Sequence, residues 1–393
     1  MQDKIKNEIN EILNKVISYR RNLHKNPELS FKEFKTTEFI INKLNELSIK
    51  YDRPLETGVV GYLGKGDRCI ALRADIDALP IEEENDIEYR STNPGVMHAC
   101  GHDIHTSILL GVVEILKKYE HKLNGLIKII FQPAEEVLPG GAKLLIEKGI
   151  LENPKPEAIF GQHINPEENT GVISINKGPF FASTDELYIT IYGNSGHAAQ
   201  PHLSNDAILT SAQIIIYFQS IVTKFKDPLN PLVLSITSIN GGNTTNVFPD
   251  KVELKGTLRT FDNNLREKIH NHINYGVNNI AEIYNCKNEV KILKGYPPLI
   301  NDNKLTKFVI DNSKEIFEEN NIKLIEPKMY AEDFAYYSQN IPSVFWFLGV
   351  KPPNKENMPP LHNSKLNPDE NAIYNGIYLM AYNVFKYFNV GDL

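Results

Sequence analysis

The amino-acid sequence predicts an α/β protein in which a smaller α+β domain is inserted into a larger one. The chain has 393 residues, more than one hydrophobic core usually serves. Its first part alternates helical patterns with short, nearly all-apolar strands, which indicates a sheet covered on both faces. From residue 179 the pattern becomes β-α-β-β-α-β, and the earlier alternation resumes after Gly295.

The elements of the larger domain follow from the spacing of apolar residues. Apolar residues three and four apart predict amphipathic helices, whereas a continuous apolar run that ends before Pro133 predicts a buried strand. Asp103 is expected to cap the helix that follows a cysteine–histidine segment. Helices are predicted over residues 3–24, 34–47, 104–118, 140–148 and 370–385. Strands are predicted over residues 58–63, 70–72, 126–131, 158–161 and 343–348.

The inserted domain shows the alternation of half-buried strands. Apolar and polar residues alternate strictly over 186–192, which predicts one such strand. The module spans roughly 115 residues, enough for a core of its own. Its remaining elements are predicted as helices over 203–225 and 263–284 and strands over 232–239, 252–260 and 289–293. The predicted domains are therefore residues 1–178 with 295–393, and residues 179–294.

Composition narrows the class of protein. Hydrophobic residues make up 41% and charged residues 23%, and the formal net charge of -7 gives no electrostatic reason to expect nucleic acid or an anionic membrane as a partner. Three cysteines form no disulfide framework. We find no signal-peptide pattern and no run near the roughly eighteen apolar residues of a membrane span. A cytoplasmic enzyme is the simplest expectation.

A cluster of metal-ligand residue types lies between Met97 and His105. Cys100 and His102 are separated by one glycine, which lets both side chains converge. Thiolate and imidazole suit zinc and tolerate manganese, cobalt or nickel. Taken alone, this Cys-Gly-His triplet is explained equally well by a buried free cysteine beside structural histidines. His163 after one apolar strand and a second histidine, His362, near the C-terminal end favour the metal hypothesis.

Two adjacent carboxylates follow the apolar run that Pro133 ends. Glu135 and Glu136 would supply one metal ligand and one carboxylate that takes a proton from a water molecule. The alternative, a solvated acidic turn, is disfavoured because the preceding strand is too apolar for the surface. Asp75 ends another strand, where it would either orient an imidazole ligand or cap a turn.

Three polar residues of the inserted domain are weaker candidates. His197 lies on a loop, where a histidine is more often incidental. Asn246 and Arg259 carry an amide and a guanidinium that suit a carboxylate-bearing substrate, but spacing alone does not assign them that role.

Taken together, these motifs resemble the aminoacylase and carboxypeptidase superfamily of cocatalytic metallohydrolases. The narrower resemblance is to its amidohydrolase branch, which includes hippurate hydrolase, the auxin–amino-acid conjugate hydrolases and N-acetyldiaminopimelate deacetylase. It runs nearly end to end. The segments that carry it are residues 24–29, 73–80, 97–103, 131–136, 196–202, 241–250 and 331–334, and His362.

The resemblance implies a dinuclear-metal, exopeptidase-like catalytic domain with a mixed sheet and an inserted ferredoxin-like lid domain, through which two chains form a homodimer. Two divalent cations per subunit are expected, zinc or manganese, with cobalt and nickel as alternatives. Cys100 would bridge them. The other ligands would be His102, Glu136, His163 and His362.

The same resemblance assigns the remaining roles. Glu135 would be the general base and acid, and Asp75 would position a ligand. His197 would stabilise the tetrahedral oxyanion, in relatives at the neighbouring subunit's active site. Asn246 and Arg259 would hold the substrate carboxylate.

The predicted activity is hydrolysis of the amide bond of N-acyl, acetyl-type amino acids to a free amino acid and a carboxylic acid. A metallo-carboxypeptidase or dipeptidase acting on short peptides is one alternative. A cysteine hydrolase with Cys100 as nucleophile is another. A dimeric scaffold or metal-buffering protein would need the base to be missing, and Glu135 is present.

Overall fold

The computed structural model describes residues 1–391 and 393 of the chain. Its helices are α1 (Gln2–Lys25), α2 (Phe34–Glu46), α3 (His102–Lys118), α4 (Gly141–Glu147), α5 (Ala207–Lys224), α6 (Asn263–Ile283), α7 (Asn303–Ile316), α8 (Ala335–Ser338) and α9 (Ala372–Tyr387). Its strands are β1 (Lys50–Asp52), β2 (Val59–Lys65), β3 (Cys69–Asp75), β4 (Gly125–Gln132), β5 (Ala158–Asn169), β6 (Ile173–Ile175), β7 (Gly178–Phe181), β8 (Asp185–Tyr192), β9 (Gly196–His197), β10 (Leu232–Asn240), β11 (Val247–Phe248), β12 (Lys251–Thr260), β13 (Lys287–Lys294), β14 (Leu299–Asn301), β15 (Ile322–Leu324) and β16 (Ser343–Lys351).

The chain divides into two compact units. The first contains residues 1–180, 300–326 and 333–393, and the second contains residues 181–299 and 327–332. The short segment 327–332 was not predicted to belong to the second unit, because its place depends on long-range hydrogen bonds. Lys328 O accepts from Ala182 N at 3.3 Å, and Met329 O accepts from Arg259 Nη1 at 2.9 Å.

The first unit is built on a mixed sheet, as the resemblance implied. Its strand order is β1-β2-β4-β3-β5-β16-β6-β15. The four neighbouring strands β4, β3, β5 and β16 are parallel, while β2 and β6 are antiparallel to their inner neighbours. Every residue of β3 is buried, which explains its continuous apolar run. Helices α1, α3 and α9 pack on one another beside this sheet.

Two local predictions for this unit were wrong. β5 was expected to end at residue 161, whereas it continues to Asn169 and places His163 inside the strand. Asp103 does not cap α3, because Gly101 precedes the helix and makes no side-chain cap. The Asp103 carboxylate instead accepts from Arg20 Nε at 2.8 Å and lies 2.9 Å from His24 Nδ1. Asp103 therefore forms a buried ion pair with Arg20 instead of the expected cap of α3.

The second unit contains a four-stranded antiparallel sheet in the order β10-β12-β8-β13. Its elements run β8-α5-β10-β12-α6-β13, in the β-α-β-β-α-β order of the split pattern. Buried and exposed residues alternate along β8, because one face of the strand meets α5 and α6 and the other does not. The lid and dimerisation roles of this unit remain predictions.

One helix of the second unit needs comment. By length and composition alone, α5 could cross a membrane, and it is the one such helix in the described part of the chain. The sequence had suggested that no segment reached that threshold. Its buried side chains, among them Ile214, Phe218 and Ile221, belong to the core of the second unit. Helices in the core of a soluble protein can have the same length and apolar composition.

Candidate metal centre

The candidate site of the first unit lies at the carboxyl ends of parallel strands. Asp75 ends β3 and is paired in register with Gln132, which ends β4. On the other side, Arg73 of β3 is paired with Gly161 of β5. His163 follows two residues later, level with Asp75. Parallel strands present their carboxyl ends at one edge, and this edge therefore collects the side chains that the sequence had singled out.

The cysteine–histidine turn depends on Gly101. This residue has φ 85°, in the left-handed region that favours glycine, and α3 begins at the next residue. A Cβ atom at Gly101 would lie 2.2 Å from Ile164 Cδ1. The tight turn brings Cys100 and His102 to the same buried site.

Replacing Gly101 by alanine is expected to lower the free energy of unfolding by about 2–5 kcal/mol, from the left-handed backbone and the collision with Ile164. Denaturant unfolding measures the loss. Gly149→Ala is the matched control, because Gly149 has φ 80° with no atom within 4 Å of the added Cβ. It isolates the backbone part, about 1–2 kcal/mol. Equal losses in both variants would contradict the packing argument.

The structure brings the five expected ligands together. Cys100 Sγ lies 3.3 Å from His163 Nε2, and His362 Nε2 lies 3.3 Å from Glu136 Oε1. His102 Nε2 is 4.0 Å from the same Glu136 oxygen. Donor atoms within 4.8 Å of one another form overlapping groups, namely Cys100, His102 and His163; Cys100, Glu136 and His362; and His102, Glu135 and Glu136.

Hydrogen bonds on the far side of two rings direct the other nitrogen into the cluster. His102 Nδ1 lies 3.0 Å from Asp77 O and 3.1 Å from its Oδ1, and His163 Nδ1 donates to Ile164 O at 2.8 Å. Metal-binding histidines are commonly oriented in this way. Among the described residues, the buried atoms His102 Nε2 and Glu136 Oε1 have no hydrogen-bond partner. These two atoms lie 4.0 Å apart, a separation that fits a cation shared between them.

The carboxylate that contacts His102 Nδ1 is Asp77, whereas Asp75 contacts His105. The role of Asp75 in positioning a metal ligand remains a prediction. Asp75 lies 2.6 Å from His105 Nδ1 and accepts from Arg73 Nη1 at 2.7 Å. Its nearest approach to His102 is 3.7 Å, to Nε2. Asp75 therefore orients His105 and acts on His102 through its charge. Asp75 ends β3 and Asp77 comes two residues later, so their spacing does not show which imidazole each aspartate contacts.

The electrostatics of the cluster also fit a cation. Burial, together with the negative charges of Glu136 and Glu135, raises the pKa of the Cys100 thiol well above its ordinary value. Burial lowers the pKa of His102, but the charges of Asp75 and Asp77 outweigh it and raise that pKa to about 10. This excess of negative charge is what a divalent cation offsets, and a coordinated thiol is deprotonated. The sulfur, nitrogen and oxygen donors suit zinc or its neighbours.

Glu135 lies beside the ligands and is buried. It follows Ala134, whose φ of 53° is unusual for a residue other than glycine. Glu135 Oε1 accepts from Asp333 N at 3.4 Å. The Asp333 side chain is anchored by Arg73 Nη2 at 2.8 Å. Asp333 belongs to the segment 331–334 that carried the resemblance, but no role was predicted for it.

His362 reaches the cluster from a loop. Its φ of 62° places the backbone in the left-handed region, and its amide donates to Ala99 O at 2.7 Å. About half of its side chain, 52%, is exposed, so it forms the open side of an otherwise buried group. An imidazole held in an uncommon backbone conformation next to Glu136 is typical of functional sites.

The other three candidate residues belong to the second unit. His197 of β9 pairs with Val247, and the carbonyl of Asn246 accepts from Ala198 N at 3.0 Å, so these two candidates are neighbours. Arg259 lies on β12 and donates to the Met329 carbonyl. Burial lowers the pKa of this guanidinium. Their roles towards the metal cluster remain predictions.

Comparison with known proteins shows that the chain is similar to one protein family and to several named relatives. The model of peptidase family M20/M25/M40 matches residues 71–385. Thermostable carboxypeptidase 2 of Saccharolobus solfataricus is 38% identical over 98% of this chain and 99% of its own. The N-acyl-L-amino acid amidohydrolase of Geobacillus stearothermophilus is 41% identical over 76% of this chain and 81% of its own.

A solved structure shows the same similarity. The YXEP protein of Bacillus subtilis, described as a dinuclear metal-binding peptidase of the M20 family, superposes with a TM-score of 0.82. It is 32% identical, and the match covers 97% of this chain and all of that chain.

Proposed function

Because the chain belongs to peptidase family M20/M25/M40, we propose that it is a metal-dependent amidohydrolase that cleaves N-acyl amino acids into a free amino acid and a carboxylic acid. One observation carries this proposal. Cys100, His102, Glu136, His163 and His362 meet at one edge of the sheet, with the buried carboxylate of Glu135 beside them. A purely structural metal site has no use for that additional carboxylate.

The donor set fits two divalent cations, zinc or manganese, with cobalt and nickel as alternatives. When bound, they would polarise the amide carbonyl and make a water molecule acidic near neutral pH. The protein supplies the remaining chemistry. Glu135 takes a proton from the attacking water on a carboxylate oxygen and returns it to the leaving amine. Asp77 and the Ile164 carbonyl keep the rings of His102 and His163 in the tautomer that presents Nε2.

The second unit completes the proposal. His197 stabilises the oxyanion that develops on the former carbonyl oxygen, and Asn246 and Arg259 hold the carboxylate of the amino-acid product. We further propose a cytoplasmic homodimer formed through this unit, with no nucleic-acid or membrane partner. These assignments rest on the resemblance described above and on the chemistry of the three side chains.

Two alternatives differ in what supports them. Cleavage of short peptides is supported by the similarity to a thermostable carboxypeptidase, and it uses the same site and chemistry. A cysteine hydrolase is disfavoured by the environment of Cys100. Burial and the nearby carboxylates raise the pKa of its thiol, and burial lowers the pKa of the neighbouring His163 well below its ordinary value. A nucleophilic cysteine needs a thiol whose pKa is lowered.

A panel of substrates tests the proposal. Purified protein supplied with manganese or zinc is expected to release amino acid from N-acetyl and N-benzoyl amino acids, measured by amine detection. Dialysis against a chelator should abolish the activity, and added Mn²⁺ or Zn²⁺ should restore it. Dipeptides in the same panel test the peptidase alternative, which predicts that they are cleaved as well. Full activity after chelation, with verified loss of metal, would contradict the metal mechanism.

A further inference from the structure

The turn that carries Glu135 and Glu136 is held from outside by two carboxylates. Ala134 N donates to Glu33 Oε1 at 2.8 Å, and Glu136 N donates to Asp77 Oδ2 at 3.0 Å. Asp77 also contacts His102, so its removal would disturb a ligand directly. Glu33 contacts the turn at one backbone amide, and no role was predicted for it from the sequence.

The backbone of this turn needs such a contact. Ala134 has φ 53°, a conformation that costs a residue other than glycine about 1–2 kcal/mol. Ala134 is fully buried, so water could not replace the Glu33 oxygen as the acceptor of its amide hydrogen bond. On the other side, Ala134 O accepts from Gly141 N at 2.9 Å and closes the loop. Ala134 is therefore fixed through both of its peptide groups.

Glu33 is itself firmly placed. It is fully buried at the start of α2, where its carbonyl accepts from Thr37 N at 2.9 Å and from Thr37 Oγ1 at 2.6 Å. Burial, followed by the negative charge of Asp77, raises the pKa of Glu33 to about 7. Both the ionised and the neutral carboxyl group carry an oxygen that can accept from Ala134 N. The contact therefore depends on an acceptor at that point and not on a negative charge.

We propose that Glu33 is a positioning residue for the hydrolytic reaction, which fixes Glu135 by accepting the hydrogen bond of the Ala134 amide. The inference rests on the proposed function, since it concerns the same general base. A displacement of about 1 Å at a reacting group can lower a rate by about 100-fold. Loss of the acceptor should therefore affect kcat, whereas substrate contacts and the KM that reflects them should change little.

Two substitutions separate positioning from a merely structural role. Glu33→Ala removes the acceptor and should lower kcat by about 10- to 100-fold, with little change in KM or metal content. Glu33→Gln keeps an acceptor oxygen and should restore kcat to near that of the native protein. Ile40→Ala is the control for lost stability, because Ile40 is a fully buried apolar residue of the same helix. It should lower the free energy of unfolding with little change in kcat.

Amide hydrogen exchange at Ala134 provides a readout that does not depend on activity. Exchange should be slow in the native protein and in Glu33→Gln, and faster in Glu33→Ala. If Glu33→Ala does not fold, Glu33→Asp, whose carboxyl group is one methylene shorter, takes its place in both measurements. Unchanged exchange at Ala134 in the acceptor-deficient variant would overturn the inference.

The kinetic outcomes are equally decisive. The inference is wrong if kcat falls as much in Glu33→Gln as in Glu33→Ala. It is also wrong if Ile40→Ala, at the same free energy of unfolding as Glu33→Ala, shows the same fall in kcat. A native protein that hydrolyses no amide in the substrate panel would instead overturn the proposed function. In that case, exchange at Ala134 still decides whether Glu33 holds the turn.

Discussion

Replacing Glu135 by glutamine is expected to lower kcat by about three orders of magnitude, within the range that an essential proton carrier supplies. Glutamine keeps the size of the side chain but cannot take a proton from water or return it to the leaving amine. Metal content should not fall, because the proposed ligands are unchanged. Steady-state kinetics with an N-acetyl amino acid, combined with elemental analysis of the same samples, measures both quantities.

The control for this prediction is Glu147→Gln, the same substitution at an exposed residue of α4. It should leave kcat and metal content unchanged. Near-native turnover by Glu135→Gln would remove Glu135 from the mechanism. Inactivity accompanied by loss of metal would instead make Glu135 a ligand, which its closeness to His102 and Glu136 also allows.

Replacing Cys100 by alanine is expected to remove most of the bound metal and to lower kcat by at least about 100-fold, since loss of residues that only support a ligand already costs 10- to 100-fold. Cys100 belongs to two of the donor groups, one with His163 and one with Glu136, so both proposed metal positions should be affected. Metal content after dialysis and kcat with saturating Mn²⁺ or Zn²⁺ are the measurements.

Cys69→Ala is the matched control, because Cys69 is also buried in the first unit but lies on β3 among apolar residues. It should change stability at most. If Cys100→Ala kept its full metal content and was nevertheless inactive, Cys100 would be a nucleophile or another direct participant, and the cysteine hydrolase would have to be reconsidered.

The fold was predictable where the sequence pattern was long enough to be unambiguous. The apolar run at 126–131 lies within β4, and the alternation at 186–192 lies within β8. Short strands such as β6 and β15 were not predicted, because three residues carry no periodicity. The extension of β5 to Asn169 was missed for a different reason. Most of its later residues are polar, and several of them pair with β16 beyond the predicted segment.

In the candidate site, too, some features were predicted from the sequence and others were not. The ligand set from Cys100 to His362 was predicted, because thiol, imidazole and carboxylate groups are informative wherever they occur near strand ends. The individual partners that hold these groups were not predicted. Glu33 reaches Ala134 across about a hundred positions of sequence, and Asp77 contacts His102 Nδ1 across 25 positions.

The amino-acid sequence by itself determined which chemical groups this protein can bring to a cation and which segments are apolar enough to form its sheet. Both properties belong to residues and their nearest neighbours along the chain. Only the tertiary structure decided which carboxylate meets which imidazole and which amide. Such contacts join residues far apart in the chain, and hydrogen bonds depend on differences of less than 1 Å that side-chain identity does not encode.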